Sequence, residues 1–253
     1  MRIRFLGTGA ADWQRGGAEY RAFTSTLIDD RLMIDGTPDA LAGVPAGCRV
    51  TDIVYTHSHG DHFSVQALEQ LAPVRAHVHE SWAARVQVTG VEVVPFGTGE
   101  TFEAAGLSLT ALPANHSTED PHEQPVHFIV RGGGRTLLYA TDGAWLLNAE
   151  WHALRREQLG AAVFDATIGE GNPGDFRVFE HNSIEMLRIM VRTLRRPMFG
   201  HESAGERFAP VLRPGAPVFL THMARTLHPD GATLERALAG EFVVARDGMV
   251  AEI

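Results

Sequence analysis

Four side chains able to bind a metal ion lie within six residues of one another in the segment Thr56-His57-Ser58-His59-Gly60-Asp61-His62. Zinc, manganese and iron all accept imidazole nitrogen and carboxylate oxygen, and the segment has no thiolate of the kind that structural zinc sites use. Gly60 allows a sharp bend between the first and the second pair of ligands. The pattern predicts a metal-binding loop. The alternative is a polar loop with surface histidines, in a chain that has 13 histidines.

The elements around this loop position the four side chains. The short apolar run Ile53–Tyr55 predicts a strand that leads into it, and the spacing of apolar residues predicts a helix over His62–Leu71. Ligands at positions i and i+2 of a loop can converge on one metal ion. Those at i+4 and i+5 then start the helix and can face a second ion, so the segment favours two adjacent metals.

The segment resembles the HxHxDH signature of metallo-β-lactamase-fold hydrolases. Three further segments follow predicted strands in the order of that family: Asn115-His116-Ser117, Ala140-Thr141-Asp142-Gly143 and Leu220-Thr221-His222-Met223. The resemblance implies a first metal held by His57, His59 and His116, and a second held by Asp61, His62 and His222. It implies that Asp142 bridges the two.

The implied cofactors are two divalent ions, zinc or manganese, with iron as an alternative. Asp35 ends a predicted strand, and in this family such an aspartate supports the histidine loop. The other interpretation is a simple turn aspartate.

Four segments favour a phosphodiester substrate because they resemble the branch that contains ribonuclease Z and the PhnP-like cyclic phosphate phosphodiesterases. They are Phe5-Leu6-Gly7-Thr8-Gly9-Ala10, Tyr20-Arg21-Ala22-Phe23-Thr24-Ser25, Asn115-His116-Ser117 and Glu180-His181-Asn182. The resemblance implies that a hydroxide bridging the two metals hydrolyses a small cyclic or linear phosphodiester. We predict that His181, at the start of a helix, binds the substrate and donates a proton, and that Asp61 is catalytic as well as a ligand.

Other functions stay open, because the ligand set alone does not choose the bond that is cleaved. Hydrolysis of a lactone, thioester or carboxylic ester is the main alternative, and a non-hydrolytic metal-binding accessory protein is another. The loop Ala10–Arg21 has no cysteine where a member of the branch carries a structural zinc, so no structural zinc is expected. Arg225 also stands where close relatives often have a second histidine.

Composition narrows the partners. A net charge of −9 argues against a general nucleic-acid binder, and we find no inserted basic RNA-binding arm. The single cysteine, Cys48, excludes a disulfide framework, and no apolar stretch is long enough for a membrane span. We therefore expect a small-molecule substrate and a cytoplasmic address, and a homodimer is left open.

Strands followed by helices occur twice along the chain, which indicates two similar halves that stack their sheets between two helical layers. We predict an α+β fold, a four-layered αββα sandwich of the metallo-β-lactamase type. The metal site is expected at one edge of the sheets, and residues 1–253 are expected to form a single domain.

Overall fold

A computed structural model describes residues 1–13, 20–172, 174–199 and 207–253. Two seven-stranded sheets form its centre. The strands of the first sheet are β1 (Arg2–Gly7), β2 (Ser25–Ile28), β3 (Leu32–Ile34), β4 (Asp52–Val54), β5 (Val74–His79), β6 (Val91–Phe96) and β16 (Val250–Glu252). The strands of the second are β7 (Thr101–Ala104), β8 (Leu107–Pro113), β9 (Val126–Gly132), β10 (Arg135–Ala140), β11 (Ala161–Asp165), β14 (Val218–Thr221) and β15 (Val243–Val244). Strands β12 (Met198–Phe199) and β13 (Arg207–Phe208) form a separate antiparallel pair.

The two sheets have matching topologies. Their strand orders are β16-β1-β2-β3-β4-β5-β6 and β7-β8-β9-β10-β11-β14-β15. In each order the first pairings are antiparallel and the last three are parallel. The last strand of the chain, β16, returns to pair with β1, which closes the first sheet with a strand from the other end of the sequence. The expected two similar halves are therefore present.

Helices cover the outer face of each sheet. They are α1 (Pro38–Leu41), α2 (Val65–Leu71), α3 (Glu80–Ala83), α4 (Asn148–Leu154), α5 (Ile184–Leu194) and α6 (Gly231–Leu238), with a 3-10 turn, η1, at Phe176–Phe179. Buried apolar side chains form three clusters. One lies between the sheets and includes Phe5, Phe128 and Phe219, whereas the other two lie between a sheet and its helices. Three cores between four layers confirm the αββα sandwich.

The sandwich brings the predicted ligand segments to one edge. Strands β8, β10 and β14 run in the same direction in the second sheet, so their carboxyl ends lie on the same side. His116 follows β8, Asp142 follows β10, and His222 follows β14 directly. The histidine loop follows β4 of the first sheet. Both sheets therefore contribute to one site.

Helix α2 begins later than the sequence predicts, and His181 lies before α5, because a serine caps each of these helices. Helix α2 begins at Val65, since the hydroxyl of Ser64 accepts a hydrogen bond from the amide of Ala67, and His62 lies before the helix. Helix α5 begins at Ile184, where Ser183 accepts from the amide of Met186. The prediction that His181 lies at a helix N-terminus is therefore wrong.

Two further sequence patterns predict features that the structure does not have. His77 and His79 alternate along one strand, which favours an exposed face, but both are buried because β5 is an inner strand covered on both sides. Asp247-Gly248 is typical of a hairpin turn, but it joins strands of different sheets. Part of the loop Ala10–Arg21, residues 14–19, lies outside the described residues. In the rest of the chain that the structure describes, no helix combines the length and the apolar character needed to cross a membrane.

We predict that Phe219→Ala destabilises the fold by about 3–5 kcal/mol, because Phe219 is buried between the sheets with its ring 5.3 Å from that of Phe5. Ile189→Ala, at a position 57% exposed on α5, should change stability by no more than about 0.5 kcal/mol. Urea unfolding of both variants measures the difference. Equal losses would contradict a core between the two sheets.

Candidate metal centre

A buried carboxylate fixes the histidine loop from behind. Asp35 is fully buried and accepts hydrogen bonds from the backbone amide and the hydroxyl of Thr56, each at 2.8 Å. Its Oδ2 also lies 2.8 Å from Nδ1 of His62. One carboxylate therefore holds Thr56 and His62, the first and the last residue of the histidine segment. The structure places Asp35 in the supporting position that the family resemblance implies.

These contacts determine which ring nitrogen of each histidine is free. The hydroxyl proton of Thr56 goes to Asp35, so the Thr56 oxygen accepts from Nδ1–H of His57 at 2.9 Å. The Nδ1–H of His62 goes to Asp35, and that of His116 goes to the carbonyl of Glu180 at 3.2 Å. In all three rings, Nε2 is left with a free lone pair. Such partners are typical of metal-binding histidines.

Three ring nitrogens converge at the first predicted metal position. Nδ1 of His59 lies 2.9 Å from Nε2 of His57 and 3.2 Å from Nε2 of His116. Ligands of a tetrahedral zinc ion, each about 2.0–2.1 Å from the metal, are separated by about 3.3 Å. A cation between the three nitrogens would therefore satisfy their lone pairs at nearly the observed spacing.

The second group combines histidines with carboxylates. Nε2 of His222 lies 3.2 Å from Oδ2 of Asp61 and 3.1 Å from Oδ2 of Asp142. The Nδ1 of His222 lies 2.9 Å from the Thr167 hydroxyl, which leaves Nε2 facing the carboxylates. Nε2 of His62 and Oδ1 of Asp142 are buried without a hydrogen-bond partner, although Nε2 of His62 is 3.1 Å from the other Asp142 oxygen. A divalent ion would satisfy both atoms, so the residues fit the implied metals.

The electrostatic environment keeps most of these side chains in the form that binds metal. Burial lowers the pKa of His57 well below its usual value and that of His116 to about 4. Burial opposes ionisation of Asp61, but the charges of His62 and His222 outweigh it and lower its pKa to about 2. For His62, the surrounding carboxylates outweigh burial and raise the pKa. A bound cation would displace that proton.

A second carboxylate supports the histidine loop, and no pattern in the sequence identifies it. The side chain of Glu123 is fully buried and accepts from the amide and the hydroxyl of Ser58, at 2.7 and 2.6 Å. Arg85 pairs with the same carboxylate. Ser58 lies between His57 and His59, so Glu123 fixes the backbone between two candidate ligands. No spacing rule links Glu123 to Ser58, 65 residues earlier in the chain.

A buried pair supports the candidate bridging residue. Nδ1 of His127 lies 2.7 Å from Oε1 of Glu150, and its Nε2 lies 3.1 Å from the carbonyl of Asp142. A side chain at Gly143 would clash with this ring, since a Cβ there would lie 2.7 Å from Nε2 of His127. The glycine after Asp142 therefore allows the close approach of His127 to the ligand segment.

His181 lies beside both ligand groups. Its ring is 5.0 Å from that of His116 and stacks 5.3 Å from that of His222. Nδ1 of His181 lies 2.7 Å from Oδ2 of Asp165, whose other oxygen accepts from the amide of Asn182. Burial disfavours the charged form of His181, but the hydrogen bond to Asp165 and the nearby carboxylates outweigh it and raise the pKa to about 9. Because Nδ1 of His181 is bonded to Asp165, Nε2 is the nitrogen of this ring that can donate to a ligand in the cavity.

Asp142 became a candidate because its segment follows a predicted strand. Asp165 likewise ends a predicted strand, the apolar run Ala161–Asp165. The predicted strand Ala161–Asp165 is β11 of the structure, and its carboxyl end lies beside that of β10. Asp165 therefore belonged among the candidates for the site. Only the structure shows that it contacts His181.

The comparisons with known proteins agree with this fold. The family model described as "Beta-lactamase superfamily domain" matches residues 30–191, which is more than half of the chain. The chain therefore belongs to the β-lactamase superfamily. The match ends before His222, so it covers every candidate ligand except that histidine.

Curated relatives match part of the chain. A UPF0173 metal-dependent hydrolase from Methanopyrus kandleri is 31% identical over 152 residues, which are 56% of this chain and 62% of that protein. A UPF0173 metal-dependent hydrolase from Thermus thermophilus is 31% identical over 137 residues, 49% of this chain and 60% of that protein. The alignments thus span about 60% of the length of these relatives.

Solved structures share the fold over the whole chain. The metallo-β-lactamase fold protein YhfI from Bacillus subtilis superposes with a TM-score of 0.73 at 12% identity, covering 100% of this chain and 99% of that one. A diphosphatase from the PhnP family has a TM-score of 0.71 at 19% identity, covering 100% and 98%. Both likenesses support the sandwich fold.

We predict that Glu123→Gln weakens metal binding by about 10- to 100-fold, because Ser58 directs two donors at this carboxylate and a glutamine amide would present a third donor. Competition with a chromophoric chelator measures the affinity for zinc or manganese. Glu157→Gln, which removes the surface partner of Arg131, should leave the affinity unchanged. If both variants bind metal like the unmodified protein, Glu123 has no role in positioning the loop.

Proposed function

We propose that this protein is a dinuclear metal-dependent hydrolase that cleaves a small cyclic or linear phosphodiester. The observation that carries the proposal is the His181–Asp165 pair. Its histidine lies beside both groups of candidate ligands and lines the same cavity, and the buried Asp165 holds that histidine from behind. Metal ligands alone would serve any hydrolysis in this fold. A histidine held by a carboxylate adds a proton donor, which cleavage of a phosphate ester with a basic leaving group requires.

The proposed ligand groups are those that the family resemblance implies: His57, His59 and His116; Asp61, His62 and His222; and Asp142 between them. Zinc and manganese both suit these donors, and iron is the alternative. When bound, two divalent ions activate a water molecule and stabilise negative charge on the attacking and leaving oxygens. The UPF0173 relatives are named metal-dependent hydrolases, which supports the class of reaction.

The side chains of this protein have distinct roles in the proposed reaction. His181 donates its Nε2 proton to the leaving alkoxide, and Asp165 keeps the ring oriented through Nδ1. Asp61 lines the cavity and is ionised at neutral pH, so its carboxylate also accepts a hydrogen bond from the attacking water. The cavity has a volume of about 530 Å³, which suits a small-molecule substrate. A structure with the same fold is named a diphosphatase of the PhnP family, which supports a substrate that contains phosphate.

We predict that His59→Ala and Asp142→Ala lower hydrolysis of bis(p-nitrophenyl) phosphate by more than about 100-fold, because each change removes a proposed ligand. The assay uses protein loaded with manganese or zinc, with the metal content of each variant measured in parallel. His152→Ala, at an exposed position on α4, is the control and should keep full activity.

Three outcomes would contradict parts of the proposal. Full activity of unmodified protein stripped of metal would exclude the metal-dependent mechanism. Faster turnover of lactones or thioesters than of any diester would assign the site to carboxylic ester chemistry. Bound metal without hydrolysis of either class would favour the non-hydrolytic accessory role.

We predict that His181→Ala slows cleavage of a 2′,3′-cyclic nucleotide by about 10²- to 10⁴-fold, because its leaving group is an alkoxide that must be protonated. Cleavage of bis(p-nitrophenyl) phosphate should fall by less than about 10-fold, since p-nitrophenoxide departs without a proton. The metal content should not change, because His181 is bonded to Asp165 and is not a proposed ligand. Equal losses on the two substrates would contradict a role as proton donor.

A further inference from the structure

We propose that Arg177 forms a second anion-binding subsite in the same cavity. The substrate would then be a phosphodiester that carries a further oxyanion, either a carboxylate or another phosphate. This inference rests on the proposed phosphodiesterase function for the identity of the reacting group. It assigns a role to a residue that the metal and proton-donor chemistry does not use.

Arg177 belongs to the turn that carries His181. Its carbonyl accepts hydrogen bonds from the amide of Glu180 at 2.9 Å and from that of His181 at 2.7 Å. The carbonyl of Glu180 in turn accepts from Nδ1 of His116. The 3-10 turn η1 is thus tied to both the proton donor and a candidate metal ligand, and this fixes the position of Arg177 relative to the site.

The guanidinium group is held rigidly, yet some of its donors are free. Nε and Nη2 of Arg177 each lie 2.8 Å from one oxygen of Asp175, a two-pronged pair. Asp175 also accepts from the amide of Arg177. Among the described residues, Nη1 makes no hydrogen bond, although the side chain is only 27% exposed. A charged planar group with one edge fixed and its end free suits an oxyanion.

Among the described residues, the lining of the cavity holds no second guanidinium or ammonium group. Its described lining includes Arg177 and no further arginine, and the chain contains no lysine. The acidic residues at the rim are occupied elsewhere or exposed. Asp12 accepts from the amides of Arg225 and Thr226, Glu180 pairs with Ser117, and the side chain of Glu119 is 87% exposed. Among the described lining residues, Arg177 is therefore the guanidinium group with a donor available to a second oxyanion.

The alternative is that Asp175 and Arg177 only stabilise the turn. The two interpretations predict different binding affinities for ligands with and without a second negative charge. A pair that only stabilises the turn would affect all ligands equally, whereas a subsite would favour ligands with a second charge. The experiment therefore compares ligands that differ in this charge and does not depend on turnover.

Calorimetry on metal-loaded protein would measure the binding of methylphosphonate, phosphonoacetate and 3-phosphonopropionate. We expect at least one of the two carboxylate-bearing probes to bind roughly 10- to 100-fold more tightly than methylphosphonate, as a charge-assisted hydrogen bond allows. Arg177→Gln should remove most of this preference. Arg177→Lys, which keeps the charge but loses the fork, should retain part of it. Arg192→Gln, an exposed arginine on α5, is the matched control and should retain all of it.

Each outcome separates the subsite from the proposed function. A preference that persists in Arg177→Gln would overturn the subsite and would indicate that the carboxylate binds a metal. Absence of any preference in the unmodified protein would also overturn it. An Arg177-dependent preference in a protein that hydrolyses no diester would support the subsite and exclude the phosphodiesterase. Hydrolysis of diesters by a protein that lacks this preference would support the phosphodiesterase and exclude the subsite.

Discussion

The hydrogen bonds of the buried Asp35 carboxylate are the constraint on which the site depends. An ionised carboxylate without water is costly unless donors surround it, and here Thr56 and His62 supply three. These donors lie near the two ends of the histidine loop. As a consequence, the loop has one conformation in which His57 and His62 both turn Nε2 toward the centre. The ligand arrangement is therefore formed by protein contacts before any ion binds.

Further buried side chains from other elements of the fold support the histidine loop and Asp142. Glu123 fixes the backbone between His57 and His59, and the His127–Glu150 pair contacts the carbonyl of Asp142. Because these supports come from other strands and loops of the sandwich, the site forms only when both sheets are packed. The three cores thus determine the geometry of an edge that itself contains few apolar side chains.

The short turn at η1 connects the proposed chemistry with the proposed substrate recognition. The carbonyl of Glu180 accepts a hydrogen bond from His116. The carbonyl of Arg177 accepts from the amides of Glu180 and of the next residue, His181. A ligand held by Arg177 would therefore be positioned by the same turn that positions the proton donor. The candidate ligands Asp61 and Asp142 bring negative charge to the site, which bound cations would neutralise.

From the sequence alone, the alternation of strands and helices indicated two similar halves, because periodicity is a local pattern. The sandwich type and the seven candidate ligands followed from the family resemblance that the HxHxDH segment carries. That residues 1–253 form one domain stays a prediction. The start of α2 at Val65 was missed, since a serine cap outweighs apolar spacing there, and the position of His181 before α5 was missed as well. Glu123 and Arg177 became candidates for roles only in the tertiary structure, and only the structure shows that Asp165 contacts His181. Their partners are set by burial and by hydrogen bonds across the fold, and no spacing along the chain encodes those contacts.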